Sequence, residues 1–590
     1  MTRRMLRPEE MLLAICVGGV LVVGLVVVGA GALDGALVAN GAAWPAHGDV
    51  LKTVVGVLRH PNDPAAAYLG ARRRPGGAAG FWLCAAGVLV MLGVFVLGLR
   101  AAVLVSWRRR PGRHLEDRST AVRTSPWASR RVVTNAMSAR AAAERDRSDG
   151  TVAPFRVGRA YGQGVYLAYE DSILVQAPSR SGKTLSVVIP QILDAAGPVV
   201  TLGTRADALV ASAPHRGRVG RIWLWDPQGL GPDIGTPVRW ALSDGCDRPE
   251  TARMRATALA FGRMSGVENA NFWTERAVTV LEALLHACAL SGHDTALLRR
   301  WGASPSAARA AVTVLQAAPG AALGWDESLQ GILTAEPRQR DSVWSGVSEA
   351  LKPLSLPSVA SLVVHDPIQG FSVEEFLAGP NTLYVLGTAS GAVSARPIIT
   401  ALVDGIAETA RLTAAAKASG RMTPPLSLVL DEVAKLCPFP SLPELLADGG
   451  GSGIATTVVI QAPSQLETAW SRSEAAEMWA NASAKIVLGG ATERDDLEAL
   501  SRLIGEWEIE ERSETHSSDG QITTHVDRRR EPIASPDMIR ELPRGEGILL
   551  YRNLPPIRIT LDMWHRRKDA GPMRENEAAL RARMVSERAG

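Results

Sequence analysis

Cysteine is scarce in this chain of 590 residues. The five present, Cys16, Cys84, Cys246, Cys288 and Cys437, form no CxxC and no Cys/His group at zinc spacing. No disulfide framework can be drawn, which fits a reducing compartment for the bulk of the chain. Strong net charge is also missing. A formal charge of +4 excludes a globally basic nucleic-acid coat and leaves local patches open. Lysine is rare, so nearly all positive charge is arginine. Codon bias in a GC-rich genome accounts for this more simply than a binding role does. No internal repeat is present. What remains is 46% hydrophobic and 21% charged, the balance of a globular chain, and long enough for several cores.

Two apolar runs stand out, roughly residues 11–33 (MLLAICVGGVLVVGLVVVGAGAL) and 80–105 (GFWLCAAGVLVMLGVFVLGLRAAVLV). Each is long enough to cross a hydrocarbon core of about 30 Å as a helix, and each is apolar on all sides. Arg3, Arg4 and Arg7 precede the first; Arg108, Arg109, Arg110 and Arg113 follow the second. By the positive-inside rule both outer ends face the cytoplasm. Arg72, Arg73 and Arg74, in the loop between, argue against that orientation. A cleaved signal peptide is the other reading of the first run; either way the C-terminal bulk stays inside. The expected anchor is residues 1–110, followed by a basic linker over 111–151. Between Arg100 and Arg147 there are twelve Arg against four acids. Topology determination and anionic lipid contact explain these ahead of DNA binding.

The globular body starts near Val152. Strands are expected over Tyr166–Tyr169, Ser172–Gln176, Pro198–Leu202 and Ile222–Trp225, with a helix after Lys183. Strands alternating with helices indicate an α/β fold, a parallel sheet covered on both faces. From about Trp240 to Val364 the pattern becomes Ala- and Leu-rich with helical spacing, which predicts an all-α insertion over 240–364. Strand signals return at Thr382–Leu386, Leu426–Leu430, Thr456–Ile460 and Lys485–Leu488. The polar stretch Glu508–Arg530 reads as an exposed hairpin or loop, and Gly547–Tyr551 as a final strand. The charged tail, 565–590, reads as helical or disordered.

Ala177, Pro178, Ser179, Arg180, Ser181, Gly182, Lys183 and Thr184 (APSRSGKT) follow a strand and open a helix, the context a phosphate-binding P-loop requires. Backbone N–H groups at a helix N-terminus can take the oxygens of ATP. Gly182 permits close approach, Lys183 reaches the β- and γ-phosphates, and Thr184 offers a hydroxyl to Mg²⁺. The usual first glycine is replaced by Ala177, which fits if its φ is negative. A second acidic element ends the apolar strand LSLVL: Asp431 to hold Mg²⁺ and Glu432 to activate the attacking water. Gln461 ends the strand TTVVI. Two readings of it stand: a sensor of the γ-phosphate, or a strand cap bonded to loop backbone.

These stretches resemble the conjugative type IV secretion coupling proteins of the TraG/TraD type. The match runs in order through APSRSGKT (177–184), TLGTRADAL (201–209), WLWDPQGLG (223–231), FWTERA (272–277), FLAGPNTLYVLG (376–387), PPLSLVLDEVAKLCPFPSLPELLADGGGSG (424–453) and VVIQAPSQLETAW (458–470). The resemblance implies a RecA-like motor over 152–239 and 365–564, carrying the all-α insertion and preceded by two transmembrane helices. It also implies a hexamer at the cytoplasmic membrane, with ATP held between neighbouring subunits. Such proteins hand DNA, single-stranded and bound to a relaxase, or nucleoprotein to a secretion channel, and their all-α domain helps to recruit the DNA-processing complex. Lys183, Thr184, Asp431, Glu432 and Gln461 take the roles already given.

One departure stands out. Relatives commonly carry an Arg, acting on the neighbour's ATP, where this chain reads Asp448 to Gly453 (DGGGSG). Such an Arg is typically worth about 10³–10⁵ in rate. Arg396 and Arg421 are candidate substitutes without a geometric basis in the sequence. The absence favours a rival reading, a membrane adaptor for protein secretion that binds nucleotide without pumping DNA. A double-strand translocase of the FtsK kind is disfavoured, since nothing after Tyr551 is long enough for a winged helix.

Overall fold

The computed structural model describes residues 26–37, 42–45, 50–68, 74–91, 127–137, 154–261, 270–388, 395–516 and 522–589. The chain divides into two units, Met1–Val122 and Arg123–Gly590.

In the first unit, residues 26–37 and 78–91 are helical, with helix α1 (Val50–Arg59) between them in sequence. The two apolar runs meet: Val26, Val27 and Ala30 share a buried cluster with Phe81, Ala85 and Val88, to which α1 adds Val54 and Val57. Tyr68 closes it, donating its hydroxyl to Val27 O at 2.9 Å. Of the expected spans, residues 11–25 and 92–105 lie outside the described residues. Among the described residues no helix is long and apolar enough to cross a membrane. Most of the expected linker also lies outside; residues 127–137 do not hang free. Ala128, Val133 and Met137 are buried in a core of the second unit, and Ala128 N–H donates to Pro556 O at 3.0 Å.

The second unit is built on a twelve-stranded sheet. Its strands are β1 (Phe155–Ala160), β2 (Gln163–Leu167), β3 (Ile173–Gln176), β4 (Val199–Gly203), β5 (Ile222–Trp225), β6 (Thr236–Pro237), β7 (Thr382–Leu386), β8 (Leu426–Asp431), β9 (Ile454–Ile460), β10 (Ala484–Leu488), β13 (Glu546–Tyr551) and β14 (Ile557–Leu561). β11 (Glu506–His516) and β12 (Ile522–Pro532) pair only with each other, so the polar stretch is a long hairpin. The sheet order is β2-β1-β14-β13-β10-β3-β9-β8-β4-β7-β5-β6. From β10 to β6 all pairings are parallel; from β10 back through β13, β14, β1 and β2 they are antiparallel. β3, β4, β7, β8 and β9 are near-continuous apolar runs, as strands covered on both faces must be. Three features differ from the sequence expectation. The strand expected over Tyr166–Tyr169 runs instead over Gln163–Leu167, and Tyr169 lies in the turn after it. Gly547–Tyr551 does not end the sheet, since β14 follows it. β1 and β2 form a hairpin whose two-residue turn puts Tyr161 and Gly162 both at positive φ, at 54° and 77°. This is the φ pattern of a primed turn, but Tyr-Gly lacks the Asn-Gly or Asp-Gly signature that announces one.

After Lys183 the chain first makes a wide turn over Thr184–Val188, with Ile189 N–H reaching back to Thr184 O, then continues as α2 (Ile189–Asp194). Pro190 has no N–H and its ring crowds the carbonyl of Ser186, which a tight α-helical turn here does not tolerate. α3 (Asp207–Arg216) ends in a buried guanidinium. Arg216 donates to Thr382 Oγ1 and to the carbonyls of Ala195, Gly197 and Pro380 at 2.6–2.8 Å, which bolts α3 to the ends of β4 and β7. Between β6 and β7 lie α4 (Pro249–Ala260), α5 (Ala270–Leu290), α6 (Thr295–Ala303), α7 (Pro305–Ala317), α8 (Trp325–Leu333) and α9 (Pro337–Leu351). The buried Leu281, Leu284 and Leu285 of α5 join one core with the apolar faces of the others. α10 (Arg396–Ala415) covers the sheet, and α11 (Ala570–Ala589) makes the tail helical.

Candidate functional site

The site lies where three parallel strands end together. Register sets it: Gln176 of β3 is level with Ile460 of β9, and Asp431 of β8 is level with Val459 of β9. β9 therefore stands between the strand that feeds the Lys183 loop and the strand that ends in the acidic pair, and Gln461 emerges between them. Ala177 leaves β3 buried, its N–H donated to Ile460 O at 2.8 Å. Positive φ in the loop falls on Arg180 (65°) and Gly182 (93°), not on Ala177. An alanine thus serves at the first position, as the sequence required. Ser181 N–H turns back to Pro178 O, and Gly182 O accepts from Leu185 and Ser186 as the helix begins.

Lys183 is 8% exposed. Its Nζ lies 2.7 Å from Asp431 Oδ1 and 3.4 Å from Glu432 Oε1. Gln461 Nε2 donates to the same Glu432 oxygen at 3.0 Å, while Gln461 Oε1 accepts from Ser179 Oγ at 3.4 Å. Lys435 stands 3.9 Å from the other Glu432 oxygen. Five residues singled out separately in the sequence are in one network. Pro178, Arg180 and Thr184 line the same loop without a side-chain bond to the acidic pair.

Burial pushes the Asp431 carboxyl above the ordinary aspartate range, and the adjacent Lys183 pulls it back down. Glu432 holds φ 56°, ψ 34°, the left-handed region that a long side chain rarely adopts. That backbone costs roughly 1–2 kcal/mol and aims the carboxylate at Lys183 and Gln461. Among the described residues two polar atoms of the site are left over: Ser181 Oγ is buried with no hydrogen-bond partner, and Asp431 Oδ1, though ion-paired, lacks a well-directed one. Buried polar atoms without partners are rare and call for a ligand or a water.

Sequence reasoning missed Arg544. A cavity of about 280 Å³ opens in front of the loop, lined by Ser179, Arg180, Ser181, Gly490, Arg540 and Arg544. A Cβ on Gly182 would sit 3.1 Å from Arg544 Nε. The residue precedes Gly545 in the turn before β13, more than 360 residues along the chain, and no local signal marks it. Of the two candidate arginines, Arg421 is at the other end of the sheet. Its Nη1 pairs with Glu170 Oε1 at 2.7 Å, and Met422 N–H donates to Ser452 O in the glycine loop. That loop is glycine-rich because backbone crowds it: a Cβ on Gly450 would meet Glu170 O at 2.1 Å. Arg396 opens α10, half-buried, and desolvation lowers its pKa.

The chain and its fold have counterparts among known proteins. The family model described as type IV secretory system conjugative DNA transfer matches residues 130–587. The chain belongs to that family. Two conjugal transfer proteins TraG, from Agrobacterium fabrum (strain C58) and Rhizobium radiobacter, are each 24% identical over 447 residues. Each match covers 72% of this chain and 66% or 68% of the relative, so the chain spans just under two thirds of the first. Among solved structures, the bacterial conjugative coupling protein TrwBdeltaN70 in its unbound form has a TM-score of 0.52 at 18% identity, over 71% of this chain and 91% of that one. The plasmid coupling protein TrwB in complex with ADP and Mg²⁺ has a TM-score of 0.51 at 17% identity, over 71% and 92%. At such identities the likeness is one of fold: an α/β architecture built on a large, mostly parallel sheet.

Proposed function

We propose that this protein is a membrane-anchored ATPase of conjugative type IV secretion, coupling ATP hydrolysis to the recruitment and translocation of DNA or nucleoprotein. The observation that carries the reading is the contact of Lys183, in the loop after β3, with both Asp431 and Glu432 at the end of β8. It joins a phosphate cradle to an acidic pair. The solved TrwB complexes with ADP and Mg²⁺, with an ATP analogue and with a GTP analogue support a purine nucleotide as the ligand.

The residues fit a triphosphate with Mg²⁺: one buried ammonium, a loop opening a helix, a Ser181 hydroxyl without a partner among the described residues, and an aspartate carboxylate whose Oδ1 is ion-paired to Lys183. When bound, Mg²⁺ would neutralise phosphate charge. Thr184 and Asp431 would hold it, and Lys183 would leave the acidic pair for the β- and γ-phosphates. Glu432, freed from Lys183 but still held by Gln461, would orient and deprotonate a water. Gln461, bonded both to Glu432 and to the loop residue Ser179, would report on the γ-phosphate. Arg544 would add positive charge from the same chain. Arg421 is the substitute we assign for the missing loop Arg: it lies beside the glycine loop at the sheet end remote from its own cradle, and would leave Glu170 to act on a neighbouring subunit's nucleotide.

Support for the anchor comes from exposed apolar side chains on the described part of the second run, Leu83, Leu89, Val90 and Met91, at 53–75% exposure. We therefore retain two spans, about 11–33 and 80–105, in the cytoplasmic membrane with the motor inside. The hexamer, the relaxase and the channel proteins as partners rest on the family resemblance.

The deciding experiment measures ATP turnover by detergent-solubilised full-length protein with and without single-stranded DNA. Wild type should hydrolyse ATP and speed up with DNA. Lys183→Ala should lose turnover while keeping its thermal midpoint. Equal rates in the two proteins would sink the ATPase. Turnover without DNA stimulation, at low and moderate salt, would select the adaptor instead.

A further inference from the structure

We propose that Asp244, His293 and His365 form a zinc-type transition-metal site at the base of the helical insertion. The three residues come from three separate connections. Asp244 lies in the turn that leads from β6 into α4, His293 in the turn between α5 and α6, and His365 in the segment that leaves the helices for β7. One ligand atom from each lies within 4.8 Å of the others. Asp244 Oδ1 is 2.7 Å from His365 Nδ1 and 3.7 Å from His293 Nδ1. Two imidazoles and a carboxylate are the borderline donors that Zn²⁺ prefers, and three protein ligands leave a fourth position for water.

The surroundings hold these groups in place. Asp244 Oδ2 accepts from Ala241 N–H at 2.9 Å, so the carboxylate is fixed with its other oxygen turned to the histidines. Ser243 Oγ lies 3.2 Å from His293 Nδ1. The rings stack at 4.5 Å with 19° between planes. A tetrahedral ion with bonds of about 2.0–2.2 Å needs ligand atoms roughly 3.3 Å apart. The 2.7 Å contact must open and the 3.7 Å contact close, and the exposed His365 ring must tilt out of the stack. Nearby His286 is a different case. Its Nδ1 meets Cys246 O at 2.7 Å and its Nε2 accepts Ala322 N–H at 3.0 Å, so backbone satisfies it completely. His293 and His365 instead face the one carboxylate.

A metal there would clamp the incoming segment, the α5–α6 turn and the outgoing segment into one node. It would fix the helical insertion to the sheet independently of any nucleotide. The test uses untagged full-length protein in excess Mg²⁺, which keeps zinc from the acidic pair. Zinc content after dialysis, titration with Zn²⁺, and visible absorption with Co²⁺ are measured for wild type, His365→Ala and the double variant His293→Ala with His365→Ala. Wild type should bind one equivalent, give a tetrahedral Co²⁺ spectrum and gain thermal stability that a chelator removes. His365→Ala should weaken binding by about tenfold or more, and the double variant should bind none at the same concentrations. His365 is exposed, so its single variant keeps the fold, checked by an unchanged thermal midpoint in chelator. No binding by wild type, or equal binding by wild type and the double variant, would overturn the proposal.

Discussion

Glu432 carries two burdens at once: a left-handed backbone and a carboxylate held against Lys183 and Gln461. The two can be separated by substitution. Glu432→Gln keeps the shape and the bond to Gln461 but not the basicity, and should cut ATP turnover about 10²–10⁴-fold with nucleotide affinity little changed. Glu432→Gly should be equally inactive yet more stable than the Gln variant, by roughly 1 kcal/mol, because glycine adopts that φ freely. Turnover assays and thermal unfolding of the pair check both halves; a Gly variant less stable than the Gln variant would refute the strain. At this scale the sequence was informative wherever chemistry follows from neighbours in the chain. Lys183, Asp431, Glu432 and Gln461 could each be named because each ends a readable strand or opens a readable helix. Arg544 and the Asp244–His293–His365 group could not, since only the sheet order and helix packing bring them to their partners.

Among the elements, α10 contains a buried acid. Asp404 accepts from Ser441 Oγ at 2.6 Å, and desolvation pushes its carboxyl up to about 7, with Glu408 adding to the rise. The folded state therefore holds this proton more tightly than the unfolded chain does. Stability from this group is full below about pH 4, falls as pH rises towards about 7 and stays low above it. Asp404→Asn, which can still accept from Ser441, should remove that fall. It should gain on wild type by roughly 4 kcal/mol at most by neutral pH. Denaturant unfolding at several pH values measures it; a parallel profile in the two proteins would exclude the effect. The β11–β12 hairpin makes the opposite case. It shares no strand pairing with the main sheet, and Glu508 stands across from Arg530 in its register. Replacing residues 508–530 by a short turn should leave basal ATPase unchanged and shift stability by about 0.5 kcal/mol or less. Lost basal turnover would tie the ribbon to the active site. The polar composition announced this ribbon, whereas β1 stayed hidden because Tyr161 stands where a turn-forming Asn or Asp gives the signal.

For the whole molecule, the relevant geometry is that Lys183 and Arg421 sit at opposite ends of the parallel strands. If neighbouring subunits complete each other's sites, Arg421→Ala should lower turnover by about 10³-fold or more while nucleotide affinity holds. Mixing inactive Lys183→Ala and inactive Arg421→Ala proteins should then restore part of the activity, because some interfaces would carry one intact cradle and one intact Arg. A mixture as dead as its components, after shared assembly is shown by cross-linking, would exclude Arg421 from the role.

The antiparallel margin of the sheet has its own consequence. β1 meets β14 through only two residue pairs, Gly158 with Leu561 and Arg159 with Thr560. Asp562, gripped by Arg156 at 2.8 Å and Arg159 at 3.2 Å, reinforces that short ladder. Once residues 127–137 are drawn off the core, tension reaching Phe155 would fall on a brief seam held shut by an ionic clasp. That seam would yield like a fuse, sparing the strands that end at Lys183 and the acidic pair, and it would yield sooner as salt weakens the clasp.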